Sequence, residues 1–460
     1  MNLITKSLLA LCLTISLTPM ALVRAEALPP AKTPATANKA AAQVPKPVTK
    51  PIIRPPIHRR LPTPLITSQY TVQQPASLTP TVRWRKILGV VYYLLDVTLP
   101  DGTKIGPFKS YVAGVNLKLP DGTKGTVKLV VKGYNLNDAA VTTPGTGTMY
   151  VDPGTKTALY PQPLTKFNTG NGTTLLYPVY NWIPVAGAKK YQVEILNTDK
   201  VSPLKEASED QVLEKAVSTG FDWYDDESHY APYTMFWRVR ALKEDGKPLG
   251  QFCAPQPMTV DPDLEYEVGT LGDSISHGGG DLSYSPSDWE YSYQYYLTFD
   301  SINLSESGDT SESTLDRFDK DVLPFSPKYL FIMTGSNSIR GWVSGESVIS
   351  DLEGIKEKCE DNDITPIFIT LPPVNPANIN RAFGEPTAEN WPAELKKVND
   401  WIRSQENHVD LSLYFPEDKE LPTKYALDGL HLNFRGKRLM ARAINNFWGT
   451  LKLEKAKSEE

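Results

Sequence analysis

The apolar positions of the chain keep different rhythms in different stretches. Between about 78 and 260 they come in short β-branched and aromatic runs, and Val90-Val91-Tyr92-Tyr93-Leu94-Leu95 reads as a strand. Phe236-Trp237-Arg238-Val239-Arg240-Ala241 alternates as a strand with one buried face does. After about 262 the period changes. Short apolar runs now alternate with helical segments, the pattern of a parallel sheet with crossover helices. Glu267–Leu271 reads as a first strand, Tyr329–Met333 as a fully buried one and Ile364–Leu371 as a third. Val348–Cys359, Ala393–Arg403 and Phe434–Trp448 carry the spacing of amphipathic helices.

The β-rich stretch repeats itself. Leu99-Pro100-Asp101-Gly102-Thr103-Lys104 recurs as Leu119-Pro120-Asp121-Gly122-Thr123-Lys124, and each Asp-Gly signals a hairpin turn. Trp84 followed by Tyr92-Tyr93 is echoed by Trp182 followed by Tyr191. Trp182-x-Pro184-Val185-x-Gly187-Ala188-x-x-Tyr191 and Trp237-Arg238-Val239-Arg240-Ala241 resemble a fibronectin type III or related immunoglobulin-like sandwich. The first copy matches more loosely. Two all-β modules are therefore expected, 78–158 and 159–261, ahead of an α/β domain over 262–452 and a charged tail over 453–460. Trp182, Tyr191 and Trp237 read as sandwich core rather than as sugar-stacking platforms.

The first 77 residues follow neither rhythm. Lys6, the apolar run Ser7–Leu17 and Val23-Arg24-Ala25 have the layout of a secretory signal peptide over 1–25, too short to span a bilayer. Cys12 stands after Leu11, which is too bulky for a lipid-attachment site. Residues 26–77 are rich in Pro, Ala, Lys and Thr and read as a semi-extended spacer. Over 26–66 it holds seven basic residues against one acid. The protein is thus expected to be exported, to the periplasm, the envelope or the medium, with no transmembrane segment once processed.

Composition narrows the chemistry. A net charge of −5 over 460 residues leaves no basic footprint for nucleic acid. Three scattered cysteines, Cys12, Cys253 and Cys359, exclude a disulfide scaffold and a cysteine-based zinc site. With five His and neither H-E-x-x-H nor a P-loop, a zincin or P-loop NTPase is excluded as well.

In such sheets ligands bind beyond the carboxyl ends of the strands, so those loops hold the candidate residues. The first strand runs into Gly272-Asp273-Ser274, where a hydroxyl meets a helix start. Gly308, in Ser307-Gly308-Asp309-Thr310, lets a backbone N–H approach a substrate. The strong strand leads to Gly335-Ser336-Asn337, and near the C-terminus stands Asp428-Gly429-Leu430-His431. A hydroxyl nucleophile needs a base, and the base needs an orienting group. Ser274, His431 and Asp428 would make such a relay. The N–H groups of Ser274 and Gly308 and the Asn337 amide would meet the oxyanion.

These four blocks resemble the SGNH/GDSL hydrolases in order and spacing, over about 264–450. The resemblance implies a flavodoxin-like three-layer α/β/α domain and ester or thioester hydrolysis through an acyl-enzyme, with no metal and no cofactor. Many members carry Asp after the third-block Asn, where this chain has Ser338. The G-x-S-x-G elbow of α/β-hydrolases is missing. Asp273 reads as a structural acceptor. His277, Trp289 and Trp342 are expected to line the substrate site, within a wider aromatic run from Tyr284 to Phe299. An exported esterase behind β modules fits an acylated envelope or plant polysaccharide, hence a carbohydrate O-acetylesterase or another short-chain esterase. The rival readings are a lysophospholipase, arylesterase or thioesterase, an envelope-glycan acyltransferase, and a surface binding protein with an inert site.

Overall fold

The computed structural model describes residues 60–279 and 288–458, all within the unit Arg59–Glu460. The signal-peptide reading, Cys12, the spacer up to 59 and Tyr284 lie outside the described residues.

The first antiparallel sheet contains Lys104–Ser110, Tyr92–Thr98, Gly125–Tyr134 and Gly145–Val151, in that spatial order. Thr81–Arg83 pairs with Gly114–Asn116 as a separate small sheet. The second region has a four-stranded antiparallel sheet, Val212–Ser218, Lys190–Leu196, Met235–Leu242 and Gln256–Met258. It also has a three-stranded one, Asp222–Tyr224, Val179–Ile183 and Gln162–Pro163. Each region buries its own apolar cluster, as β-sandwiches do.

The internal repeat is structural. Tyr93 Oη accepts from the Ile87 N–H at 2.8 Å, and Tyr191 Oη accepts from the Val185 N–H at 2.9 Å. Each tyrosine also meets its tryptophan, Trp84 at 5.3 Å and Trp182 at 5.2 Å between ring centroids. Trp182, Tyr191 and Trp237 are sandwich core, as expected.

Two expectations need correction here. The spacer does not extend to 77: Ile66 bridges Trp84, Ala76 bridges Val151, and Leu61, Ile66 and Tyr70 pack on the first core. Composition hid this, because isolated bridges along a sandwich edge need few apolar residues. Asp101-Gly102 does close a hairpin, but Asp121-Gly122 turns the chain from one sheet to another, since Gly114–Asn116 and Gly125–Tyr134 are not partners.

The C-terminal region is a five-stranded parallel sheet. Its strands are β1 (Val268–Gly272), β2 (Ile302–Asn303), β3 (Tyr329–Met333), β4 (Thr365–Ile369) and β5 (His408–Val409), in spatial order β2-β1-β3-β4-β5. Every residue of β1 and β3 is buried, which is why both read as continuous rather than alternating runs. The helices are α1 (Ser274–His277), α2 (Ser311–Asp316), α3 (Phe318–Asp321), α4 (Ser336–Arg340), α5 (Gly345–Asp361), α6 (Pro376–Phe383), α7 (Trp391–Arg403) and α8 (Phe434–Ser458). The chain leaves β1 toward one edge for β2 and returns toward the other for β3 to β5. Right-handed crossovers then require helices on both faces, giving three layers. Accordingly α2, α4 and α7 pack with α5 or with one another, while α8 packs against β5. The charged residues after 452 are helical as far as the structure describes them, since α8 continues to Ser458. Among the described residues no helix is long and apolar enough to cross a membrane.

The outer side of β2 is covered. Leu176 N–H donates to the Asn303 carbonyl at 2.9 Å, and Asn303 N–H donates to the Thr174 carbonyl at 3.0 Å. Leu176, Tyr177 and Val260 share the core of the parallel sheet.

Candidate active site

The candidate residues sit at the carboxyl ends of β1 and β3, after β2, and in the loop before α8. Gly272 ends β1 with φ +155°, and a Cβ there would stand 1.9 Å from the Met333 carbonyl oxygen. Only glycine permits that approach, and it turns the chain sharply into α1. Asp273 caps α1, its Oδ1 accepting from the Ile275 N–H at 2.9 Å. Ser274 is therefore the first helical residue, and its own N–H is left without an intrahelical partner.

Ser274 Oγ lies 2.8 Å from His431 Nε2, and His431 Nδ1 lies 2.8 Å from Asp428 Oδ2. The other Asp428 oxygen accepts from the N–H groups of Leu430 and His431 at 2.9 and 2.8 Å. Burial alone would raise the Asp428 carboxyl; the His431 interaction and those two donors outweigh it and hold it below the usual range. A carboxylate fixed in this way keeps the proton on Nδ1 and leaves Nε2 free to accept from Ser274.

Gly308 follows β2 with φ +100° and is exposed, with open space where a Cβ would be. The left-handed backbone, not crowding, calls for glycine here. The Asn337 Nδ2 donates to the Asp309 carbonyl at 2.8 Å, and its Oδ1 accepts from Arg340 Nε at 3.0 Å. Ser338, the departure from the family pattern, is buried and supports the Gly308 loop: its Oγ accepts from the Ser311 N–H at 2.9 Å.

Ser274, Gly308, Asn337 and His431 all line one cleft of about 400 Å³. Its remaining walls include Tyr224, Phe383, Leu430 and the Arg340–Glu385 ion pair, 2.7 Å long. The Phe383 ring stands edge-on to His431, with centroids 6.0 Å apart. Tyr224, Arg340, Phe383 and Glu385 line the cleft without belonging to any of the four sequence blocks. Arg340 stands three residues after Asn337, and that nearness is a usable clue. Tyr224 carried none, because it comes from the β region.

The three expected substrate-lining residues are elsewhere. His277 is buried at the end of α1, with Nε2 on the Tyr177 carbonyl and Nδ1 on Ser307 Oγ, each at 2.8 Å. As the last residue of α1 it is carried inward by the helix. Trp289 packs against Phe167 and lines a different cleft of about 390 Å³. Trp342 is exposed just beyond α4, away from the lining of the Ser274 cleft. Of the aromatic run, Tyr291, Tyr293 and Phe299 serve as core.

Charge is also buried beneath the site. Lys437, in the first turns of α8, is fully buried and donates to the Ile275 carbonyl of α1. Burial pushes its amine down to about 7, against the opposing pull of Asp273 and Asp428. Burial likewise pushes the Asp273 carboxyl up to about 6. Arg317 donates to the Gly272 carbonyl at 3.1 Å and to Asp309 at 2.6 Å, tying the Ser274 turn to the Gly308 loop.

Residues 270–439 match the GDSL-like lipase/acylhydrolase family. No curated protein matches the chain. A GDSL-like lipase from Bacteroides thetaiotaomicron is 22% identical, over 41% of this chain and 88% of its own, with a TM-score of 0.33. A lipase/acylhydrolase from Enterococcus faecalis is 22% identical over 39% of this chain and 94% of its own, with a TM-score of 0.31. The family match places an ester hydrolase domain in the C-terminal part of the chain.

Proposed function

We propose that this ester hydrolase works through Ser274, His431 and Asp428, and that its substrates are short-chain, chiefly acetyl, esters of carbohydrates. The observation that carries the reading is the chain of two 2.8 Å contacts from Ser274 through His431 to Asp428.

His431 Nε2 takes the Ser274 proton as Oγ bonds to the ester carbonyl carbon. The oxyanion is held by the Ser274 and Gly308 N–H groups and by the second hydrogen of Asn337 Nδ2. Its collapse breaks the bond to the alcohol oxygen, which leaves with the proton from His431. Water then repeats the sequence on the acyl-enzyme, releasing the acid and Ser274. Among the described lining residues Leu430 is the one aliphatic side chain, which supports a short acyl group over a long one. Tyr224, Phe383 and the Arg340–Glu385 pair offer ring faces and hydrogen-bonding groups to a polyhydroxylated alcohol. The N-terminal segment supports an exported protein acting on envelope or plant glycans.

Ester hydrolysis from acetate to decanoate, with wild type and Ser274→Ala, tests this. The expected profile peaks at acetate and collapses by at least about 10³-fold in Ser274→Ala. Unchanged activity in the variant refutes the nucleophile. A peak at long chains refutes the acetyl reading in favour of lipid esters, and acyl transfer to a glycan acceptor in place of acid release refutes hydrolysis.

A further inference from the structure

The cleft is lined in part by a residue from outside the parallel-sheet domain. Tyr224 ends the strand Asp222–Tyr224, where it pairs with Val179. It is 39% exposed, so its ring is available to a ligand, yet it lines the same cleft as Ser274 and His431. It meets the His277 ring in a T-shaped arrangement, with centroids 6.5 Å apart.

The strand that carries the ring is tied to the nucleophile turn through its neighbours. His277, three residues beyond Ser274, bonds the Tyr177 carbonyl, and the next residue's carbonyl, Pro178, accepts from the Asp225 N–H at 3.1 Å. His229 braces the same loop, with Nε2 at 2.8 Å from Asp225 and 3.0 Å from Glu214. Leu176 meanwhile bonds β2. Each of these contacts lies within a few residues of Tyr224 or of its strand partner.

Two of the lining residues differ in character. Leu430, next to His431 in sequence, is the buried aliphatic residue among the described lining and suits an acyl methyl group. Tyr224 comes from the β region and presents a part-exposed ring to the same cleft. We propose that Tyr224 is a substrate-binding residue, a platform on which the saccharide part of the ester lies, and that the β region thereby sets which alcohols the enzyme accepts. This rests on the carbohydrate-ester reading above. An aromatic face suits the C–H face of a sugar ring, and such contacts are worth up to tenfold in affinity.

The test is kinetic, on the full chain. Wild type, Tyr224→Ala and Tyr224→Phe are compared on an O-acetylated oligosaccharide and on ethyl acetate, whose alcohol is too small to reach the ring. In Tyr224→Ala, KM for the oligosaccharide should rise roughly 5- to 10-fold, with kcat changed far less. The ratio of kcat/KM between the two substrates should fall by a similar factor, and Tyr224→Phe should restore it. An unchanged ratio in Tyr224→Ala overturns the platform while leaving the esterase reading intact. A wild type that cleaves ethyl acetate but no acetylated glycan overturns the carbohydrate reading itself.

Discussion

Arg340 Nε donates to Asn337 Oδ1 at 3.0 Å, and this contact orients the Asn337 amide. With its oxygen occupied by a guanidinium, the amide must present Nδ2 to the Asp309 carbonyl and to the cleft. Arg340 is itself held by Glu385. Asn337→Ala should lower kcat about 10²–10³-fold, the usual loss for one oxyanion donor. Arg340→Ala should cost less, roughly tenfold, with KM for ethyl acetate changed far less than kcat. Steady-state kinetics on purified variants checks both, and a pure KM effect in Arg340→Ala would remove its positioning role.

Arg317 joins loops that are far apart in sequence. Besides Gly272 and Asp309 it reaches Asp321 at 3.1 Å and the Leu304 carbonyl at 2.6 Å, nearly all of it buried. Arg317→Met would leave Asp309 and Asp321 buried without their cation. The expected loss is about 3–5 kcal/mol of stability, read as a lower urea midpoint.

His277 makes a pH prediction with a definite sign. A carbonyl only accepts, so Nε2 carries the proton and Nδ1 accepts from Ser307 Oγ. Burial pushes this histidine down to about 4, against 6.5 for a free one. Between those values the unfolded chain binds more protons, so stability falls as pH drops from 6.5 toward 4. The full effect is on the order of 3 kcal/mol. His277→Gln should flatten the acid limb of stability against pH, measured by denaturation from pH 7 to 4; an unaltered limb contradicts the assignment.

Cys253 and Cys359 are both free and buried, and burial pushes each thiol up to about 12. Neither should react with a thiol reagent in the folded protein, and both should react after denaturation. Reductant should leave the melting temperature within about a degree, since no bond between them is there to break. Fast labelling of either cysteine in the native state would contradict this.

Ser274, Asp428, His431, Gly308 and Asn337 were legible because their blocks are short, ordered and placed where a parallel sheet puts its ligands. The sheet itself was legible for a related reason: β1 and β3 are buried on both faces and leave continuous apolar runs. What failed was everything that depends on how distant segments meet. His277, Trp289 and Trp342 were read as cleft residues from their nearness in sequence to Ser274 and Asn337. Helix α1 turned the first inward, the second filled a space beside Phe167, and the third remained in solvent. Tyr224 was invisible for the converse reason: fifty residues separate it from Ser274, and only the docking of Leu175–Tyr177 onto β2 brings it to the cleft.

That docking bears on how such a protein can be assembled and inherited. The backbone of residues 174–176 occupies the hydrogen-bonding groups on the outer side of β2. A recombination breakpoint at the apparent boundary near residue 262 would hand on a hydrolase with an open sheet edge, a surface that invites pairing with other chains. The heritable unit therefore begins upstream, near residue 174. An exchange that moves this catalytic domain into another architecture must carry that segment along or supply a new strand in its place.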